Sequence, residues 1–278
     1  MNLAINPRHF LQAAVWEDDR TLTQAMDLVY EAGFRHFDLE AVTRADVDEI
    51  LKFKEDHEIT IIQSHMPFNR YTRLPKEVFR QSVVDYMTYA KEIGAKILVV
   101  HGDDFDYKNQ LYTRTAALEH NYRFYYSMVE YAAANNMKVA FENTFQESHR
   151  LTQPHYGASV DDLCELVDRY QTDTVGVCWD TGHAKVQYAE KDLDALKIAG
   201  SRVICTHIHD NGFNQDLHGF PFTGTIHWKK LMETLKEIGY QGDFSFELVY
   251  DRLPKALAPD YVKLLYRTGE YLISEVTK

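Results

Sequence analysis

Polar and apolar positions repeat as one unit along most of the chain: an amphipathic helical stretch, a turn, a short apolar run, then a polar residue. Leu22, Ala25, Met26 and Val29 have helical spacing. Gly33, a favoured residue just past a helix end, follows them, and then Phe37-Asp38-Leu39-Glu40. The next unit has Val47, Ile50 and Leu51, then the run Ile59 to His65. Val78, Val83, Tyr86, Ala90 and Ile93 lead through Gly94 to Ile97-Leu98-Val99-Val100-His101. A long helix from about Thr115 to Asn135 precedes Val139-Ala140-Phe141-Glu142. Ser159 with Asp162 reads as a capping box for a helix whose apolar face is Leu163, Leu166, Val167 and Tyr170. The run Val175 to Asp180 is its strand. A helix near Asp192–Ala199 leads to the run Val203 to His207. Trp228, Leu231, Leu235, Ile238 and Gly239 lead to Phe244-Ser245-Phe246-Glu247. Near the start, Leu3-Ala4-Ile5 and Ala13-Ala14-Val15 both qualify as a first strand.

Strands alternating with helices imply βαβ units and a parallel sheet. The runs are nearly continuous in apolar residues, as when both faces of a sheet are covered. Their ends recur about 35 residues apart, consistent with βαβ units. Seven such strands and one near the N-terminus predict an α/β fold, the (β/α)8 TIM barrel, as a single domain over 1–278. A doubly wound open sheet is the alternative, but the chain has neither GxGxxG nor GxxxxGK[ST].

Composition narrows the class. The 278 residues are 45% hydrophobic and 26% charged, which is ordinary globular usage, with enough chain for a sizeable core. Lys and Arg number 30 against 42 Asp and Glu, a formal net charge of −12, which disfavours nucleic acid as the main partner. Cys164, Cys178 and Cys205 form no CxxC pair, as expected of a reducing compartment. The first ten residues lack a signal-peptide pattern, and no apolar run approaches the ~20 residues of a membrane span. A cytoplasmic protein is the expectation.

Each predicted strand after the first ends in a side chain able to bind metal or carry a proton: Glu40, His65, His101, Glu142, Asp180, His207 and Glu247. In a parallel barrel all the C-terminal strand ends share one face, where active sites are built. Residues two hundred positions apart therefore converge. His183 lies just past Asp180, and Asp216 and His218 lie in the loop after His207. One such residue alone reads as a hydrogen-bonded structural group; the whole set argues otherwise. Mixed imidazole and carboxylate donors suit Zn²⁺, Mn²⁺ or Co²⁺ better than Ca²⁺. Either His207 or His209 can face inward, since period-2 alternation puts Cys205, His207 and His209 on one side; His207 sits nearer the apolar run and is preferred. Glu40 reads equally as a positioning residue. Tyr122 to Tyr126 reads as helix packing, Asp103, Asp104 and Asp106 as a solvated acidic loop, and Arg70, Tyr71 and Arg73 as a surface loop within reach of a substrate phosphate.

The segments Ser64-His65-Met66-Pro67, Val100-His101-Gly102, Phe141-Glu142-Asn143-Thr144, Cys178-Trp179-Asp180-Thr181-Gly182-His183-Ala184, Thr206-His207-Ile208-His209-Asp210-Asn211, Asp216-Leu217-His218, Gly224-Thr225-Ile226-His227-Trp228 and Phe246-Glu247-Leu248 carry a resemblance over nearly the whole chain. It is similar to the xylose-isomerase-like TIM-barrel superfamily, which groups sugar isomerases and epimerases with the endonuclease IV type of apurinic endonuclease. The resemblance implies a divalent metal (Zn, Mn, Co or Mg, one to three ions) held by Glu142, Asp180, His207 and Glu247. The endonuclease branch adds a trinuclear zinc site at positions matching His65, His101, His183, Asp216 and His218. Possession of all nine residues does not decide the branch.

Two readings follow. In the first, a metal-dependent isomerase or epimerase acts on a small sugar or sugar phosphate; Glu142 and Glu247 move a proton α to a metal-polarised carbonyl, and His183 and Glu40 contact substrate. In the second, the zinc cluster serves an apurinic-site endonuclease or phosphodiesterase, opposed by the charge of −12. A non-catalytic metal or sugar binder, or a hydrolase or lyase on the same barrel, is a third class. Family members often form homo-oligomers, so a dimer or tetramer is a further expectation.

Overall fold

The computed structural model describes residues 1–13, 18–67, 75–103, 113–146, 155–212, 215–249 and 254–274. Eight parallel strands run around a barrel: β1 Leu3–Ile5, β2 His36–Asp38, β3 Thr60–His65, β4 Ile97–Val100, β5 Lys138–Glu142, β6 Val175–Asp180, β7 Val203–His207 and β8 Phe244–Phe246. They pair in chain order, and β8 pairs with β1. A parallel bridge from Ile208 to Phe246 brings β7 against β8 and closes the barrel. The first strand is therefore Leu3-Ala4-Ile5. Ala13 belongs instead to a short antiparallel pair with Asp18–Asp19, while Ala14 and Val15 lie outside the described residues.

Around the strands pack α1 Leu22–Ala32, α2 Arg44–Asp56, α3 Lys76–Ile93, α4 Arg114–Ala134, α5 Val160–Tyr170, α6 Thr181–Tyr188, α7 Asp192–Ala199, α8 Trp228–Glu237 and α9 Ala258–Ser274. Helix starts follow local chemistry: Thr21 and Thr43 make capping boxes with Gln24 and Asp46, and Ser159 accepts from the Asp162 N–H. Helix α1 stops at Gly33, whose φ of 120° is strained for any side-chain-bearing residue.

Period-2 alternation divides each strand between two interiors. Phe37, Phe141, Trp179, Phe244 and Phe246 are fully buried and join the helices in one large core that also takes in Ile5 and Leu272. Val99, Ala140, Cys178 and Cys205 form a separate buried cluster inside the barrel. Two residues further along their strands come His101, Glu142, Asp180 and His207. Small apolar residues thus fill the barrel beneath a polar layer at the C-terminal ends. No helix among the described residues is long and apolar enough to cross a membrane.

Candidate metal centre

The polar layer is built one side chain per strand. Glu142 ends β5, Asp180 ends β6, His207 ends β7, and Glu247 follows β8 by one residue. One donor atom from each of these four lies within 4.8 Å of every other. His207 Nδ1 is 2.9 Å from Glu247 Oε2 and 3.2 Å from Glu142 Oε1. The predicted convergence of these four residues is observed.

The other five residues join in two groups. His65, ending β3, and His101, just past β4, place their Nε2 atoms 3.2 and 3.1 Å from Glu142 Oε2. His183, Asp216 and His218 form the second group, with Asp216 Oδ2 3.4 Å from His183 Nε2 and 3.2 Å from His218 Nε2. His183 also approaches Glu142 Oε1, at 3.3 Å from its Nδ1, so Glu142 borders both groups. His183 owes its position to α6, a helix that starts at Thr181 with Asp180 as its cap: Asp180 Oδ1 accepts the His183 N–H at 2.6 Å.

The electrostatics follow from burial among opposite charges. Burial alone would raise Glu142, but His207 and His101 hold it well below the ordinary carboxylate range. Glu247 is likewise opposed by burial and driven well down, chiefly by His207. His65 is lowered by burial, yet the Glu142 carboxylate outweighs this and pushes it up to about 9. His101 touches the same carboxylate, but burial and the neighbouring His65 and His183 bring it down to about 4. Burial also opposes His218, which Asp216 lifts to about 9. Buried carboxylates in this number require positive compensation, from protons or from a cation.

The residues fit a divalent cation on direct observations. His207 is 1% exposed, and neither of its ring nitrogens has a hydrogen-bond partner among the described residues; Glu247 Oε2 has none either. Buried polar atoms are normally satisfied, and these point at one another across less than 3.3 Å without hydrogen-bond alignment. Two Glu, one Asp and one His form a hard-to-borderline donor set suited to Zn²⁺, Mn²⁺ or Co²⁺.

One contributor escaped the strand-end pattern. Asp38 is fully buried, with Oδ2 3.2 Å from His207 Nε2, on the ring edge away from the glutamates. Gln63 Nε2 donates to the same oxygen at 2.9 Å. The predicted strand ran to Glu40, but β2 stops at Asp38, where the register with β3 shifts. The polar residue at position 38 was the available signal. Glu40 sits at the cavity edge instead, its carboxylate held by Arg8 and Asn6; burial raises it, and Arg8 offsets this in part. His209 is also buried, but it is not one of the four donors and meets the centre through the Asp180 carboxylate. Asp103, expected in a solvated loop, is partly exposed, and its carboxylate meets His120 at 2.6 Å while its backbone N–H donates to the Asn121 side chain. Tyr125 does pack as expected, and its hydroxyl donates to the His101 carbonyl at 2.5 Å. Asp104, Asp106, Arg70, Tyr71 and Arg73 lie outside the described residues.

Glu142, His207 and Glu247 line a cavity of about 410 Å³, whose wall also includes Met66, Pro67, Tyr86 and Phe145. The family described as xylose isomerase-like TIM barrel matches residues 25–268, and the chain belongs to it. The chain is 25% identical over 284 residues to an uncharacterized protein, y4fM, of Sinorhizobium fredii, covering 91% of this chain and 88% of that protein. Among solved structures it resembles a D-tagatose 3-epimerase-like protein, with TM-score 0.77 and 21% identity over the whole of both chains. It also resembles the IolI protein with a bound zinc atom, with TM-score 0.75 and 17% identity over 99% of each chain. The eight-stranded barrel read from the sequence is thus the fold of its family.

Proposed function

We propose that the protein is a divalent-cation-dependent isomerase or epimerase of a small sugar or sugar phosphate. The observation that carries this reading is the pair of carboxylates, Glu142 and Glu247, that both approach His207 Nδ1, at 3.2 and 2.9 Å. The name of one structural neighbour, a D-tagatose 3-epimerase-like protein, supports the same class, and the zinc atom bound to the IolI protein supports the cation. Glu142, Asp180, His207 and Glu247 would hold the cation. When bound, it supplies Lewis-acid polarisation of a substrate carbonyl and the neighbouring hydroxyl.

The chain's own groups do the rest. Glu142 and Glu247 come from β5 and from the end of β8, so they reach a bound sugar from separate strands. Both are held ionised, the state a general base needs. One takes the proton from the carbon next to the carbonyl; the other returns a proton at the same or the adjacent carbon. His183 sits against Glu142 and orients a substrate hydroxyl, and Glu40 meets the substrate at the cavity edge. Met66, Pro67, Tyr86 and Phe145 cover the carbon face of the sugar and displace water.

Incubating the Mn²⁺-, Co²⁺- or Zn²⁺-loaded protein with a panel of ketoses in D₂O tests this. Deuterium is expected at the carbon adjacent to the carbonyl, and Glu142→Gln or Glu247→Gln should abolish it. No exchange with any ketose would contradict the proposal.

The three donor groups favour a second reading, a zinc-dependent apurinic-site endonuclease or phosphodiesterase. The net charge of −12 weighs against it. Cleavage of an abasic-site duplex that vanishes in Glu142→Ala would reverse the ranking.

A further inference from the structure

His209 is one of the most deeply buried polar side chains in the protein, with no exposed surface, and it does not line the cavity. Its Nε2 reaches both oxygens of Asp180, each at 3.0 Å. Its Nδ1 has no hydrogen-bond partner among the described residues, so the proton belongs on Nε2, where it is donated to the carboxylate. The backbone is fixed as well: the Thr181 hydroxyl donates to the His209 carbonyl at 2.8 Å and lies 3.1 Å from its N–H. The imidazole stacks on His218, with centroids 4.0 Å apart and planes 10° apart, and its Nε2 is 4.0 Å from Asp216. It therefore touches an acid of the four-donor centre on one side and the His183, Asp216, His218 group on the other.

The space for this ring comes from Gly182. A Cβ built there would fall 1.9 Å from His209 Cε1 and 2.4 Å from Nδ1. Two separate sequence segments, Asp180-Thr181-Gly182-His183 and His207-Ile208-His209, are thus mutually fitted.

We propose that His209 is a positioning residue: it fixes the rotation of the Asp180 carboxylate so that one oxygen faces Glu142, His207 and Glu247, and it ties this centre to the His183 group. The inference rests on reading those four residues as a cation centre. Partners that orient a ligand in this way are commonly worth about 10- to 100-fold in cation affinity.

The test is equilibrium dialysis of Zn²⁺ alone against the full chain and its variants. His209→Ala should bind about 10- to 100-fold more weakly. His209→Gln, which keeps a donor, should recover much of the loss. Gly182→Ala should weaken binding on its own by displacing the ring, although it alters no polar group. With the ring gone, the same change should cost clearly less in the double variant with His209→Ala, where of the three nearest atoms only the Asn211 amide nitrogen, 2.5 Å from the same Cβ, remains in its way. Wild-type affinity in both single variants, or penalties that simply multiply in the double variant, would overturn the role of His209. Failure of the wild type to bind Zn²⁺ would overturn the cation reading itself, a separate outcome.

Discussion

At the scale of single residues, the centre is governed by what surrounds His207. Its ring lies between Asp38 on the Nε2 edge and Glu142 and Glu247 on the Nδ1 edge. A carboxylate beside one nitrogen favours a proton there, leaving the other nitrogen's lone pair for a cation. Asp38 is also anchored by Gln63, whose amide donates to it at 2.9 Å in the barrel interior. The expected outcome for Asp38→Asn, a near-isosteric change, is cation binding about 10- to 100-fold weaker by equilibrium dialysis. Unchanged affinity would show that His207 needs no such partner.

At the scale of elements, helix starts and strand ends together place the chemistry. Helix α2 starts with a reciprocal cap between Thr43 and Asp46, and Arg8 reaches Asp46 at 2.7 Å. Burial raises the Asp46 carboxyl, but Arg8 and the backbone N–H groups of Thr43 and Val42 outweigh it and leave it below its ordinary value. A depressed carboxyl adds stability that is present above the unfolded value and lost as pH falls through the folded one. Asp46→Asn should therefore destabilise the protein near neutrality, by about 1 kcal/mol for a lost cap. The gap from wild type should close on acidification below the ordinary carboxylate value of about 4, as followed by denaturant titration. A gap independent of pH would contradict the assignment.

The strands that end in His65, Asp180 and His207 were legible because a continuous apolar run followed by one polar residue has few alternatives. Two features were not. The register shift after Phe37 moves the end of β2 to Asp38, and a bulge leaves no mark in a hydrophobic pattern. Helix α6 begins directly at Thr181, without a loop, and its eight residues are too short for helical periodicity to show. His209 was undecided for a related reason: alternation puts it on the same side as His207, and only the tertiary fit to Gly182 and Asp180 separates their roles.

At the scale of the whole molecule, the closed barrel brings nine dispersed residues, from His65 to Glu247, into one polar layer above small buried side chains. The claim that matters most is that this layer is a cation centre. Anomalous scattering from crystals of the Mn²⁺- or Zn²⁺-loaded protein, recorded at the metal's absorption edge, tests it directly. A peak is predicted among Glu142, Asp180, His207 and Glu247, at roughly 2.0–2.2 Å from their donor atoms for zinc. No peak there, or a peak bound only elsewhere on the molecule, would contradict it.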